Sequence, residues 1–221
     1  MESAANDLKP TDAARPGYLY ELPRSFAKYW YGVKDDDKFQ GLARMGVLGD
    51  GSCAYHSICA ALHLDNYNSL AEKQQKEVAY KFRCSFRDGL TQEKLKRILS
   101  KNKGKSSPST LSQVETALCD PKIWADETAI RIVGEEIGIN MIFIDTLKNK
   151  AYCGVHHDNA FTMKVPTMVI LWINHVHFEP LVVINKMHEH TVEVKILLDP
   201  KNEKDLKLIR SLMDRYSKQC N

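Results

Sequence analysis

The order in which hydrophobic patterns follow one another constrains the fold of this 221-residue chain more than any other feature. Up to Gly138, apolar residues recur mainly at the three- and four-residue spacing of helices that bury one face. Beyond Gly138, the pattern changes to short apolar or alternating runs that are typical of β-strands. Helices first and clustered strands later favour an α+β domain, with a sheet built mostly from the C-terminal half of the chain.

The same patterns place the individual elements. Asp126 is a candidate N-cap and Gly138 a candidate C-terminal stop for one helix. Other helices are predicted to begin near Cys53 and to cover residues 70–89, 93–99 and 202–218. Strands are predicted at residues 139–145, 168–173, 177–184 and 191–198. The aromatic stretch at residues 17–32 predicts a short helix after Pro23 that packs on the domain.

Charge and hydropathy bound the class of protein. The 31 basic and 28 acidic residues give a net charge of +3, which does not indicate a nucleic-acid or membrane partner. The chain shows no signal-peptide core at its start, and its longest apolar run, residues 168–173, is too short to span a bilayer. We expect an intracellular, cytoplasmic protein with a disordered segment over residues 1–16 and a single domain over residues 17–221.

The cysteines indicate reduced thiols and no metal site. The six cysteines are scattered without paired spacing, which does not resemble a disulfide framework. Cys153 lies three residues before His156, but no C-x-x-C pair exists, and a single Cys/His half-site is weak support for zinc. We therefore predict no metal ligands, and a free thiol can serve as a nucleophile.

The stretch GDGSCAYHSICAALH, residues 49–63, places a cysteine where a glycine-rich loop becomes a helix. The amides and the positive end of the dipole at a helix N-terminus stabilise a thiolate, so Cys53 is a candidate nucleophile. The alternative is that Cys53 is a small buried hydrophobe behind an ordinary turn at Asp50 and Gly51.

A cysteine nucleophile needs a base, and the stretch LWINHVHFEPLVV, residues 171–183, supplies a candidate. Because side chains alternate along a strand, His177 and Glu179 share one face of the sheet and Phe178 points to the other. A carboxylate can then hold the imidazole, although a surface pair at a strand end explains the pattern equally well. His175 is the main rival base, and His56, one helical turn after Cys53, is a weaker one.

Three separated motifs resemble the ovarian-tumour (OTU) family of cysteine proteases, which are deubiquitinases. They are DGSCAYHSI, WADETAIRIVGEEIGINMIFID and HFEPL, in the order of the family, and the resemblance covers roughly residues 48–184. The resemblance implies a papain-like OTU fold with a central mixed β-sheet flanked by helices. It also implies hydrolysis of isopeptide bonds at the C-terminal glycine of ubiquitin or polyubiquitin chains, without a cofactor.

Site residues carry over from the resemblance position by position. Cys53 matches the nucleophile, His177 the general base, and Asp50 the acidic residue that begins the loop; the backbone amides of Asp50, Gly51, Ser52 and Cys53 would surround the oxyanion. Glu179 stands where many members carry asparagine or aspartate, so Asn174 or Asp50 could share its orienting role.

Trp172 or His175 could wall a channel for the diglycine end of ubiquitin. Candidate partners for the arginines of the ubiquitin tail are Asp35, Asp36, Asp37, Asp126 and Glu127, each also readable as a surface charge or cap.

Two other functions fit the same motifs. One is a catalytically silent module that keeps the fold and binds ubiquitin. The other is a cysteine protease that acts on another ubiquitin-like modifier or on an ordinary peptide. Intact Cys53, His177 and an adjacent carboxylate favour the enzyme over the silent module.

Overall fold

The computed structural model describes residues 16–22, 39–100, 110–148, 150–154, 164–188 and 191–216. The segment predicted to be disordered, residues 1–16, lies almost entirely outside these ranges, as does the helix predicted after Pro23. Within the described residues, no helix has the length and hydrophobicity needed to cross a bilayer. The assignment of residues 17–221 to a single domain stays a prediction.

Helices dominate the first part of the described chain. They are α1 (Cys53–Ala61), α2 (Glu72–Asp88), α3 (Gln92–Ser100), α4 (Leu111–Cys119) and α5 (Glu127–Ile137), with a 3₁₀ segment at Leu64–Ser69 and a last helix, α6 (Glu203–Tyr216), near the C-terminus. The Asp126 carboxylate caps α5 by accepting from the Ala129 amide at 2.8 Å. Gly138 ends α5 in the left-handed conformation, with φ 71°. Both predicted helix ends are confirmed, because each residue supplies the chemistry that its end requires.

Eight strands of the described chain form one sheet. They are β1 (Leu19–Glu21), β2 (Phe39–Met45), β3 (Asn140–Asp145), β4 (Lys150–Gly154), β5 (Thr167–Ile173), β6 (His177–His188), β7 (Thr191–Lys195) and β8 (Leu197–Leu198). The order is β1-β2-β6-β5-β3-β4, with β7 beside β6 and β8 beside β5. β3 and β5 are parallel and the other pairs are antiparallel, so the sheet is mixed.

Helices cover both faces of the sheet, several on one face and α6 on the other. On one face Met45, Phe143 and Val182 pack in a cluster with buried residues of α1 to α5. On the other face Ile144, Leu181 and Val183 pack with Leu208, Ile209 and Leu212 of α6. Alternate residues of β6 enter different clusters, as the period of a strand requires. The expected α+β architecture with a mixed sheet between helices is thus confirmed.

Several strands depart from the sequence prediction. β2 was not predicted, because Gly41, at a register shift, and the charged Arg44 interrupt its apolar pattern. The strand predicted over residues 191–198 is two strands, since β7 pairs with β6 and β8 pairs with β5. The sheet is therefore less C-terminal than expected: β2 lies directly beside β6 and brings its side chains to the strand that begins with His177.

Candidate active site

The loop from Asp50 to Ser52 sets the entry to α1. Asp50 Oδ1 accepts a hydrogen bond from the Ser52 amide at 3.0 Å, and the Ser52 carbonyl accepts the His56 amide at 2.9 Å. Cys53 is the first residue of α1, with Ser52 as its N-cap. The predicted position of the cysteine, where loop becomes helix, is confirmed.

The Cys53 thiol lies against the strand that carries His177. Burial raises the pKa of the thiol, while hydrogen bonds from the backbones of Phe178 and Ala54 act in the opposite direction. The first of these contacts places the sulfur beside the residue that follows His177. The expectation that the helix N-terminus holds Cys53 as a thiolate is wrong, because burial outweighs the backbone amides and favours the neutral thiol.

Both the backbone conformation and the close packing at position 51 require a glycine. Its φ is +87°, and a Cβ at this position would come within 2.5 Å of the Pro121 carbonyl oxygen and 3.7 Å of the Trp124 ring. A side chain would therefore push the loop away from the Pro121–Trp124 segment. The glycine lets two backbones approach each other beside Cys53.

We predict that Gly51→Ala lowers kcat for a thiol-dependent reaction by about 100-fold, because it displaces the loop amides predicted to surround the oxyanion, and losing one such donor costs about that much. The strained φ should also reduce the free energy of unfolding by about 1–3 kcal/mol. Urea denaturation and steady-state kinetics measure the two effects. Gly89→Ala is the matched control, since Gly89 has φ −96° and no atom within 4 Å of an added Cβ. Equal kcat values in the two variants would contradict the requirement for Gly51.

His177 and Glu179 share a face of β6, as predicted. His177 Nε2 lies 3.5 Å from Glu179 Oε1, and the two side chains are 8% and 0% exposed. Phe178 points to the opposite layer, where its ring is 5.6 Å from that of Phe143. The alternative of a surface pair at a strand end is therefore wrong, because both side chains are buried.

The Glu179 carboxylate has a second partner that sequence reasoning missed. Arg44 Nη1, from β2, donates to Glu179 Oε2 at 2.6 Å. The Arg44 side chain is 6% exposed, so the ion pair is buried. A charged residue inside the otherwise apolar run LARMGV is the signal that could have found it.

The imidazole of His177 is neutral around pH 7. Burial first, and then the charges of Arg44 and His56, lower its pKa from 6.5 to about 4, while a hydrogen bond with the Val47 backbone and the Asp50 charge act in the opposite direction. A neutral imidazole can accept a proton, so this state suits a general base.

The lowered pKa predicts a pH dependence of stability. In the unfolded chain a histidine takes up a proton below about pH 6.5, whereas His177 in the folded protein stays neutral down to about pH 4. The unfolded state therefore binds more protons in this window, and stability falls as the pH drops from 6.5 to 4, by about 3 kcal/mol in total. Urea titrations at several pH values should show this slope in the wild type and a smaller one in His177→Gln. An identical slope in both proteins would contradict the assignment.

His56 is a buried residue of α1 that contacts the loop, and it is not a surface residue. Its side chain is fully buried, Nε2 lies 3.0 Å from Asp50 Oδ1, and Nδ1 hydrogen-bonds the Tyr67 hydroxyl. Burial opposes ionisation of Asp50, but the contacts with His56 and the Ser52 amide outweigh it and lower the Asp50 pKa. Asp50 thus holds Ser52 and His56. The described hydrogen bonds do not join it to His177.

His175 forms a separate pair with a buried aspartate. His175 Nε2 donates a hydrogen bond to Asp145 Oδ2 at 2.7 Å, and the His175 ring is 4.6 Å from that of Trp172. Trp172 in turn stacks on Phe178 at 5.8 Å. Asn174 and His175 both have positive φ, 51° and 62°, in the tight turn that joins β5 to β6. The two candidate channel residues therefore lie on the Phe178 side of the β5–β6 turn that leads into His177, and their role stays a prediction.

The other candidate residues are divided between structural roles and undescribed positions. Asp126 caps α5, and Glu127 pairs with Arg131 at 2.9 Å, so both fit the cap and surface-charge readings. Asp35, Asp36, Asp37 and His156 lie outside the described residues. Nowhere in the described part of the chain does a group of three or more His, Cys, Asp or Glu residues stand ready to hold a metal ion. The side chains of Cys53, Cys59, Cys84 and Cys119 carry free thiols.

Arg83 is a further residue that sequence reasoning missed. Its fully buried guanidinium donates to Ser52 Oγ at 2.8 Å and to the carbonyls of Leu118, Ala117 and Ile123 at 2.6, 2.7 and 2.9 Å. The guanidinium also lies 4.6 Å from the centre of the Tyr55 ring. Arg83 sits between Ala79 and Phe86 on the apolar face of α2, and a charge on that face is the signal that could have found it.

Comparison with solved structures identifies the fold. No protein-family model and no curated protein matches the chain. A structure described as an ovarian tumour (OTU) domain in complex with ubiquitin matches with a TM-score of 0.51 over 83% of this chain and 92% of that chain, at 13% identity. The chain has an OTU-like fold. An OTU deubiquitinase from Wolbachia pipientis wMel bound to ubiquitin matches with a TM-score of 0.42 over 64% of this chain and 96% of that chain, at 17% identity. The Hazara virus OTU bound to ubiquitin matches at 0.39 over 72% and 99%, at 12% identity.

Proposed function

We propose that this OTU-like chain is a cysteine deubiquitinase that hydrolyses isopeptide bonds at the C-terminal glycine of ubiquitin. The observation that carries the proposal is the meeting of Cys53 and β6: the buried thiol touches the backbone of Phe178, next to His177 with its carboxylate partner Glu179. Ubiquitin is the substrate proposed because the OTU domain of similar fold is in complex with ubiquitin.

The first half of the reaction forms a thioester. His177 takes the proton from the Cys53 thiol, and the sulfur attacks the carbonyl carbon of the terminal glycine. The amides of the Asp50–Cys53 loop face the oxygen that becomes negative in this step. The tetrahedral intermediate then collapses, its C–N bond breaks, and His177 returns the proton to the departing lysine amine.

The second half releases ubiquitin. His177 takes a proton from a water molecule, and the hydroxide oxygen attacks the thioester carbon. The C–S bond breaks, and the proton on His177 returns to the Cys53 sulfur, so the enzyme is regenerated without a cofactor. Glu179 stabilises the imidazolium that forms twice in this cycle.

Apolar side chains flank the site on both sides and support a protein substrate. Trp124 is 47% exposed and lies beside Gly51, while Val176 is 54% exposed and directly precedes His177. Leu147, 60% exposed, follows Asp145, the partner of His175. We propose that these side chains contact ubiquitin, because exposed apolar residues grouped around a reactive centre are typical of recognition surfaces. Trp172 and His175 would wall the channel for its tail.

Covalent capture tests the proposal. The wild type should form an adduct with ubiquitin that carries a C-terminal alkyne electrophile, and peptide mass spectrometry should place the adduct on Cys53. Cys53→Ala should give no adduct, whereas Cys59→Ala, which changes a fully buried cysteine on the same helix, should react normally. Another ubiquitin-like modifier with the same electrophile serves as the specificity control.

The outcomes separate the alternatives. Reaction with the other modifier and not with ubiquitin would replace the substrate and retain the cysteine chemistry. Binding of ubiquitin by the folded wild type without an adduct, and without release of a C-terminal fluorogenic amide, would show a silent binding module. Release of the fluorogenic group by the wild type and not by Cys53→Ala would support the proposed deubiquitinase. A panel of linkage-defined diubiquitins would then rank the linkages that it cleaves.

A further inference from the structure

A row of interacting side chains crosses three neighbouring strands and ends at His177. Tyr20 on β1 stands opposite Arg44 on β2, and the Arg44 guanidinium carbon lies 5.3 Å from the centre of the tyrosine ring. On its other side Arg44 holds Glu179 Oε2, and Glu179 Oε1 faces His177 Nε2. The row Tyr20, Arg44, Glu179 and His177 thus connects the outer strand of the sheet to the imidazole.

Burial makes the Arg44–Glu179 contact necessary. The Glu179 side chain is fully buried, and an isolated carboxylate in such a place would take up a proton. A guanidinium at 2.6 Å keeps it ionised by a charge-assisted hydrogen bond. Tyr20 covers the guanidinium from the other side by a cation–π contact. Glu179 therefore presents a charged Oε1 to His177 because Arg44 holds Oε2.

We propose that Arg44 is a positioning residue of the active site: it fixes the Glu179 carboxylate so that Oε1 stays directed at His177, and it offsets part of the carboxylate's charge. This inference rests on the proposed function only in naming His177 as the general base. The contacts that carry it belong to the resting protein. Arg44 acts through Glu179 and touches no reacting atom.

The partial cancellation of the Glu179 charge by Arg44 affects the protonation state of His177. The charged and titratable groups around His177 are Arg44 from β2, Glu179 from its own strand, Asp50 from the loop and His56 from α1, and the Cys53 thiol contacts the backbone of the next residue, Phe178. Glu179 and Asp50 favour the imidazolium, whereas Arg44 disfavours it. With Arg44 in place the imidazole stays neutral at rest and is free to accept the Cys53 proton when substrate is present.

Two replacements of Arg44 separate charge from orientation. Arg44→Gln keeps an amide donor for Glu179 but removes the positive charge; the carboxylate then takes the neighbouring imidazolium of His177 as its counter-ion, so the pKa of His177 should rise by about 1. Arg44→Lys keeps the charge but loses the planar guanidinium, so the pKa should stay near the wild-type value while kcat falls by about tenfold through misorientation. NMR titration of the imidazole, assigned with His177→Gln, measures the pKa.

The thiol provides a readout that is independent of ubiquitin. If Arg44→Gln makes the imidazolium more stable, Cys53 should form a thiolate more readily, and iodoacetamide should alkylate it about threefold or more faster at pH 6 than in the wild type. Hydrolysis of the fluorogenic ubiquitin amide should nevertheless be slower. A variant that is only loosened would not combine an altered His177 pKa with a more reactive thiol and slower hydrolysis.

Arg131→Gln is the matched control, because Arg131 pairs with Glu127 on the surface of α5. A folded Arg44→Gln with an unchanged His177 pKa would overturn the offset, and an Arg44→Lys with wild-type kcat would overturn the positioning. Should Arg44→Gln fail to fold, the kcat of Arg44→Lys decides. Since the NMR and alkylation measurements need no ubiquitin, a protein that never cleaves ubiquitin would end the proposed function and leave the Arg44 result readable.

Discussion

Glutamine at His177 is expected to lower kcat for the fluorogenic ubiquitin amide by about 10³-fold, with little change in KM, because a positioned general base contributes 10²–10⁴-fold. Glutamine retains the size and hydrogen-bonding groups of the side chain but cannot take the Cys53 proton at neutral pH. Steady-state kinetics over pH 5 to 9 measures the loss. The remaining rate should rise with pH, since only spontaneous ionisation of the raised-pKa thiol then supplies thiolate.

The other two histidines near the site serve as comparisons. His175→Gln removes a half-exposed imidazole that is held by Asp145, so kcat should change little and KM can change if His175 contacts the tail. His56→Gln disturbs the contacts with Asp50 and Tyr67, so kcat and the unfolding midpoint should fall together. A 10³-fold loss of kcat in His175→Gln, with normal activity in His177→Gln, would show that His175 is the general base and would contradict the role of His177.

The backbone of the site could be predicted because single residues encode it. Gly51 has a φ that other residues rarely adopt, and Cys53 follows it at the start of an apolar helix. His177 and Glu179 are two positions apart, which puts them on one face of any strand. Such arguments concern one residue and its neighbours in sequence, and all of them agree with the structure.

Contacts between distant segments could not be predicted in the same way. Arg44 meets Glu179 across 135 positions and Arg83 meets Ser52 across 31. A charge within an apolar pattern shows that a partner must exist, but it does not say which one, since any acceptor brought near by the fold would satisfy it. The sequence therefore reveals that Arg44 and Arg83 are unusual, and the sheet order and helix packing reveal what they hold.

The protonation state of Cys53 was mispredicted for a related reason. Position at a helix N-terminus is visible in the sequence, and it favours the thiolate. Burial depends on what packs over the sulfur, here the strand that begins at His177, and it favours the thiol more strongly. Together with the low pKa of His177, burial leaves both side chains neutral at rest, so the mechanism that we propose transfers the proton between them within the catalytic cycle.

Methionine at Arg83 is expected to reduce the free energy of unfolding by about 3–5 kcal/mol, because three buried or partly buried carbonyls and the Ser52 hydroxyl lose their donors at once and each unsatisfied buried group costs about 1–3 kcal/mol. Methionine fills much of the volume of the arginine stem, so the loss reports the hydrogen bonds more than a cavity. Urea denaturation at pH 7.5, followed by tryptophan fluorescence, measures it.

Arg87→Met provides the matched control for this change. Arg87 lies one turn further along α2, is half exposed, and contacts Asp88 at 3.1 Å, so its replacement should leave the unfolding midpoint unchanged. Arg83→Lys should fall between the two, since one ammonium group cannot reach all four acceptors. Equal midpoints for Arg83→Met and Arg87→Met would contradict the role of Arg83.

The Arg83 guanidinium joins the N-cap of α1 to the segment on which Gly51 packs, so a destabilised Arg83 variant that still folds should also lose kcat. Stability and the placement of Cys53, the proposed nucleophile, then depend on the same four hydrogen bonds.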